Sequence, residues 1–123
     1  MNDKGRLILV VEDNSENSEL AEKILKHSGF RVHISPDGDK ALEYCKNNSP
    51  DLILMDISLP TIDGLEVTRQ LRGRDSFKTV PIIALTAHVI VGFEEQTREA
   101  GCSDYLSKPF MPNDLVGMVN KHL

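Results

Sequence analysis

The sequence has no apolar run long enough to span a bilayer, no cluster of lysine or arginine, few aromatic residues and only two cysteines. Each shortage excludes something. A membrane helix needs about 20 consecutive apolar residues, and the start Met1-Asn2-Asp3-Lys4-Gly5 is too polar and short for a signal peptide. A cytoplasmic protein with no membrane association is expected. With 14 basic against 19 acidic residues the formal charge is −5, so a direct grip on nucleic acid or on an anionic membrane is not expected. Cys45 and Cys102 are far apart in no metal-ligand spacing, and they read as reduced thiols packed like small apolar side chains. A glycine-rich phosphate loop is also missing. The first loop, Glu12-Asp13-Asn14-Ser15, carries neither the dinucleotide fingerprint nor a Gly-Lys-Ser/Thr segment. That argues against a nucleotide or flavin binder.

What is present is enough for one domain. The 123 residues are 40% hydrophobic and 27% charged, sufficient for a core without disulfide or metal staples and ordinary for a globular chain. Apolar residues fall in short blocks. Leu7 to Val11 is a continuous branched run, the pattern of a strand buried on both faces. From Asn14, read as an N-cap, Leu20, Ile24 and Leu25 recur at helical spacing until Gly29. Phe30 to Ser35 predicts a more polar strand nearer an edge, and Asp37 to Asn47 a helix with Ala41, Leu42 and Cys45 inward. Leu52 to Met55 predicts a third strand, Leu65 to Leu71 a helix, and Val80 to Leu85 a fourth strand. Gly92 to Ala100 predicts a helix stopped by Gly101, Asp104 to Ser107 a last strand, and Pro112 onward the final helix with Leu115, Val116 and Val119. Five strands alternating with five helices imply an α/β, doubly wound parallel sheet with right-handed crossovers.

In such a sheet ligands bind beyond the carboxyl ends of the strands, where strand order reverses. The first strand is followed by Glu12 and Asp13, the third by Asp56, the fourth by Thr86 and the fifth by Lys108-Pro109. In the flavodoxin-like order 2-1-3-4-5, the first and third strands are neighbours, which brings three carboxylates into one crevice. They repel unless their pKa values rise or a cation sits among them. Hard oxygen ligands suit Mg²⁺. Lys108 adds a positive charge and Thr86 a hydroxyl. Taken singly, Glu12 and Asp13 read as a polar loop with a cap, Asp56 as a solubilising strand end, Thr86 as an N-cap and Lys108 as a surface lysine. One polar group of suitable type after each of four strands points instead to phosphoryl transfer, where positioning and charge neutralisation do most of the catalysis.

These residues resemble the response-regulator receiver family. Val10-Val11-Glu12-Asp13-Asn14 is similar to its acidic motif. Leu54-Met55-Asp56-Ile57-Ser58-Leu59-Pro60, followed by Asp63-Gly64, looks like its phosphorylation-site loop. Thr86-Ala87 and Ser107-Lys108-Pro109-Phe110 match its other two signatures. The similarity runs over the whole chain, 1–123, as one CheY-like (βα)5 receiver domain, nearest to single-domain shuttles and the receivers of hybrid kinases.

The resemblance implies that Asp56 accepts a phosphoryl group from a histidine on a sensor kinase or phosphotransfer protein. It implies Mg²⁺ held by Asp13 and Asp56, by the Ser58 backbone carbonyl and, through water, by Glu12. Lys108 would bind a phosphoryl oxygen, with a cis bond to Pro109. Thr86 would turn to the phosphate and Tyr105 would follow it inward as the switch aromatic. Ser58 and His88 occupy the positions that tune dephosphorylation. Such a chain signals by docking on a downstream protein and is not an enzyme with a separate substrate. With the last helix ending at Lys121-His122-Leu123, no DNA-binding module is expected.

One stretch departs from the family: His88-Val89-Ile90-Val91-Gly92-Phe93 is unusually apolar. Either these side chains pack inward or against Tyr105, or Ile90 and Phe93 form an exposed patch that binds a partner or a second copy. Two other functions stay in view. A receiver domain of a hybrid histidine kinase would carry the same residues. An aspartate-nucleophile phosphatase would want a second Asp two residues after Asp56, where this chain has Ser58.

Overall fold

The structure, a computed structural model, describes residues 5–87 and 92–123. Five parallel strands, β1 (Leu7–Val11), β2 (Arg31–Ser35), β3 (Leu52–Asp56), β4 (Ile82–Thr86) and β5 (Asp104–Ser107), stand in the order β2-β1-β3-β4-β5. Between and after them run α1 (Ser15–His27), α2 (Gly38–Asn47), α3 (Gly64–Arg72), α4 (Phe93–Ala100) and α5 (Pro112–Lys121). The expected α/β doubly wound order is the observed one.

Successive strand residues point to opposite faces, and the core divides accordingly. Ile8 and Val10 of β1 face α1 and α5, meeting Ala21, Leu25, Leu115 and Val119. Leu9 and Val11 face α2 and α3, meeting Ala41, Cys45, Val67 and Leu71. The central strands β1, β3 and β4 are therefore almost wholly buried, whereas β2 and β5, at the edges, carry exposed positions. The more polar β2 sits at an edge, as its composition implies.

Helix α1 starts at the cap expected of Asn14, and Asp37 and Asp63 cap α2 and α3 in the same way. Asn14, Asp37 and Asp63 each accept the backbone N–H three residues on, from Asn17, Lys40 and Glu66. Gly29 and Gly101 end α1 and α4 in the left-handed region at φ 97° and 108°. Strand boundaries differ slightly from those the apolar runs suggest. Pro81 lacks an N–H, so β4 begins at Ile82, and both β3 and β4 run one residue further, to Asp56 and Thr86.

Two features had no sequence signal. A short 3-10 turn, Asp75–Phe77, buries Phe77 beneath the α3–β4 connection. Arg72, at the end of α3, donates from Nη1 to the carbonyls of Phe77 (2.6 Å) and Val80 (2.7 Å), and from Nε to that of Gly101 (2.8 Å). One planar guanidinium thus ties α3, the 3-10 turn, the entry to β4 and the end of α4. Leu20 does not join the core as its helical spacing suggests; it is 48% exposed on α1.

Candidate functional site

Parallel register sets the site. Val11 pairs with Met55 across β1 and β3, so the next residues, Glu12 and Asp56, emerge side by side. The Glu12 N–H continues the ladder by donating to the Ser35 carbonyl on β2 at 3.1 Å. Glu12 and Asp56 are both 3% exposed, while Asp13 is open to solvent. One carboxylate oxygen from each of Glu12, Asp13 and Asp56 lies within 4.8 Å of the others.

A lysine from the far edge partly balances this charge. The Lys108 N–H donates to the Thr86 carbonyl at 2.7 Å, its peptide bond to Pro109 is cis, and its side chain turns back over the crevice. The ammonium reaches Glu12 Oε1 at 2.8 Å and Asp56 Oδ1 at 3.4 Å. Burial pushes the Glu12 carboxyl above its ordinary range, and the neighbouring Asp56 carboxylate adds to this while the Lys108 hydrogen bond opposes it. Asp56 Oδ1 also accepts the Ser58 N–H at 3.0 Å, which fixes its rotamer, and Glu12 Oε2 accepts the Asn14 N–H at 3.3 Å.

The loop after β3 is braced from below. The Gly64 N–H donates to the Ile57 carbonyl at 3.0 Å, and the first turn of α3 lies directly on the Asp56 backbone. A Cβ at position 64 would overlap the Asp56 carbonyl oxygen and stand 3.0 Å from Ile57 Cα. Thr61, within this loop, has φ 68°, and the Ile62 N–H reaches the Pro60 carbonyl at 2.7 Å, closing a tight turn.

Thus Glu12, Asp13, Asp56 and Lys108 meet in one crevice, with Ser58 at its rim. Thr86 is buried at the end of β4, next to β3 in the sheet. Tyr105 lies further along β5, paired with Ala84, on the face covered by α4. Its hydroxyl donates to Glu94 Oε1 at 3.1 Å, and its ring meets Phe93 edge-on at 5.7 Å. The Glu94 hydrogen bond and charge raise the Tyr105 pKa. Phe93 is 6% exposed, so of the two readings for the apolar stretch it takes the inward one, against Tyr105, and it does not offer an exposed patch. His88 and Ile90 lie outside the described residues. Sequence reasoning missed Glu94, Arg72 and the steric role of Gly64. Only Gly64 had a signal, its place in the Asp63-Gly64 segment.

A model of the family described as the response regulator receiver domain matches residues 8–120. The chain belongs to that family. It is a receiver domain of two-component signalling. The polar-differentiation response regulator DivK of Brucella anthropi is 38% identical to this receiver over 116 residues, covering 94% of each chain. The chemotaxis response regulator CheY4 of Vibrio cholerae has a TM-score of 0.93 at 25% identity, over 98% of this receiver and 100% of that chain. The receiver domain of the sensor histidine kinase PA1611 from Pseudomonas aeruginosa is 40% identical, with a TM-score of 0.89 over 96% and 97% of the two chains. That structure has a magnesium ion coordinated in its active site cleft. Among the described residues of this receiver, no helix is long and apolar enough to cross a membrane.

Proposed function

We propose that this receiver accepts a phosphoryl group on Asp56 from a phosphohistidine of a sensor kinase or histidine phosphotransfer protein. The observation that carries the reading is the Glu12-Asp13-Asp56 cluster with the Lys108 ammonium 3.4 Å from Asp56 Oδ1. An Asp56 carboxylate oxygen attacks phosphorus, the P–O bond forms as the P–N bond breaks, and the donor imidazole leaves with the bonding pair. Asp56 is poised for this because the Ser58 N–H holds Oδ1, leaving Oδ2 as the attacking atom. Lys108, held near the carboxylate, balances negative charge brought by the phosphoryl oxygens.

The donor set is all oxygen, one member is solvent-exposed, and one ammonium does not neutralise three carboxylates. It fits a hard divalent cation. Asp13, Asp56 and the Ser58 carbonyl would hold Mg²⁺ directly, and Glu12 would do so through water. When bound, the ion supplies positive charge to the phosphoryl oxygens. Thr86 and Tyr105 then carry the switch: the new dianion recruits the Thr86 hydroxyl, and Tyr105 moves into the space released. Ser58 and His88 tune the return reaction.

The receiver is a cytoplasmic signalling module that turns over only its own phosphoryl group and acts by binding a downstream protein. The first reading is a single-domain regulator, as DivK is a response regulator 38% identical to this receiver. A second reading, the receiver of a hybrid kinase, is favoured by the 40% identity to the PA1611 receiver, and the size of the native protein in its cell decides between them. Incubation with acetyl phosphate and Mg²⁺, followed by intact-mass measurement, tests the chemistry. One added phosphoryl group is expected, lost in Asp56→Asn and on chelation of the metal. No adduct where another receiver is labelled would sink the reading.

A further inference from the structure

The contact between Tyr105 and α4 contains a residue with no assigned role. Phe93, in the first turn of α4, is buried and stands nearly perpendicular to the Tyr105 ring, at an interplanar angle of 89°. The next residue, Glu94, is exposed, yet its carboxylate turns onto the Tyr105 hydroxyl at 3.1 Å. The ring is therefore held twice by the same turn, once by packing and once by a charge-assisted hydrogen bond. Of these, only the hydrogen bond depends on the hydroxyl. The partner of Tyr105 across the ladder, the buried Ala84, lies two residues before Thr86 on β4. Tyr105 thus adjoins both the strand that carries Thr86 and the helix that carries Glu94.

We propose that Glu94 is a positioning residue that latches Tyr105 onto α4 in the unphosphorylated receiver, so that the inward movement of the ring must first break this bond. The inference rests on the reading of Tyr105 as the switch aromatic and deepens it by naming what sets the resting position. A carboxylate acceptor makes the bond stronger than one to a neutral group, while exposure to water keeps it weak enough to yield. The latch therefore biases the switch and does not lock it. A shift of about three- to tenfold in the balance of ring positions is the size to expect. Glu94, Arg98 and Asp104 are the charged groups that share with Tyr105 the rim of a cavity of about 120 Å³.

The test uses the full chain with Tyr44→Phe, which leaves Tyr105 as its single tyrosine, labelled as 3-fluorotyrosine. Tyr44 stacks on His33 of β2, at the opposite edge of the sheet from β5, and phenylalanine keeps that stack. Glu94→Ala should move the unphosphorylated ¹⁹F resonance toward the position that the parent reaches with acetyl phosphate and Mg²⁺. It should also speed labelling by acetyl phosphate about three- to tenfold and shift the Tyr105 ionisation seen by ultraviolet titration to lower pH. Glu94→Gln, which keeps an oxygen acceptor, should stay near the parent in resonance and rate. A Glu94→Ala spectrum and rate equal to the parent's would overturn the latch and leave the switch standing. A parent resonance that does not move on phosphorylation would overturn the switch reading itself, and the latch with it.

Discussion

The Lys108 ammonium lies 2.8 Å from Glu12 Oε1, a charge pair closed across 96 residues of sequence and nearer than the 3.4 Å pair with Asp56. Its consequence is testable through stability. Lys108→Met strands two buried carboxylates, a loss of about 2–4 kcal/mol in metal-free buffer. Urea unfolding with and without MgCl₂ should show the larger magnesium stabilisation in the variant, since nothing then competes for the carboxylates. Equal midpoints in metal-free buffer would refute the pairing.

Gly64 and Gly117 provide a matched contrast. Alanine at 64 meets the Asp56 backbone, whereas at 117, exposed in α5, it meets nothing within 4 Å. Gly64→Ala should cost about 1–3 kcal/mol and slow labelling of Asp56 by about tenfold or more, because the acceptor is displaced. Gly117→Ala should stabilise by about 0.5–1 kcal/mol and leave labelling unchanged. Thermal melts and acetyl phosphate kinetics on the same preparations check both.

Asp104 supplies the acid dependence. Burial raises its pKa, but hydrogen bonds from His122, the Tyr105 N–H and Lys121 outweigh this and hold the carboxyl below its ordinary value. A depressed carboxyl binds protons more readily unfolded than folded. Its stabilisation is therefore present above the unfolded-state pKa, near 3.9, and is lost as pH falls through the lower folded value. Asp104→Asn should cost about 0.5–1 kcal/mol at pH 7. The gap from the parent should close below about pH 3, as read by urea midpoints across pH. A gap independent of pH would contradict the assignment.

Arg72→Lys should behave as a deletion. An ammonium cannot reproduce a planar fork that serves Phe77, Val80 and Gly101 together. Carbonyls left without donors predict a loss of about 2–4 kcal/mol, measured by chemical unfolding, with acetyl phosphate labelling retained at native temperature.

The sheet was legible because burial on both faces leaves continuous apolar runs, as in Leu7–Val11 and Leu52–Met55, and the start of α1 because Asn14 marks it chemically. The crevice was legible because parallel strands deliver their last residues to one edge, so Glu12, Asp13, Asp56 and Lys108 could be placed by topology. What escaped has a common cause. Arg72 bonds to backbone carbonyls, which every residue carries, so no partner type betrays it. Glu94 and Tyr105 meet only once the α4–β5 packing exists, and their spacing of 11 residues follows no periodicity. Leu20 shares helical spacing with Ile24 and Leu25 but lies at the border of the stripe, where period alone does not separate inside from outside.

The two ends of α4 are not held alike. At Gly101 the helix is tied through Arg72 to three other segments, while at Gly92 it begins on a left-handed glycine with no side-chain cap. Were the helix to turn, the Arg72 tie would set its pivot near Gly101. With 8 residues the helix is about 12 Å long, and a rotation of about 10° carries its first turn through about 2 Å. Such a rotation would carry Phe93 and Glu94, the side chains that meet Tyr105, further than any other part of the helix.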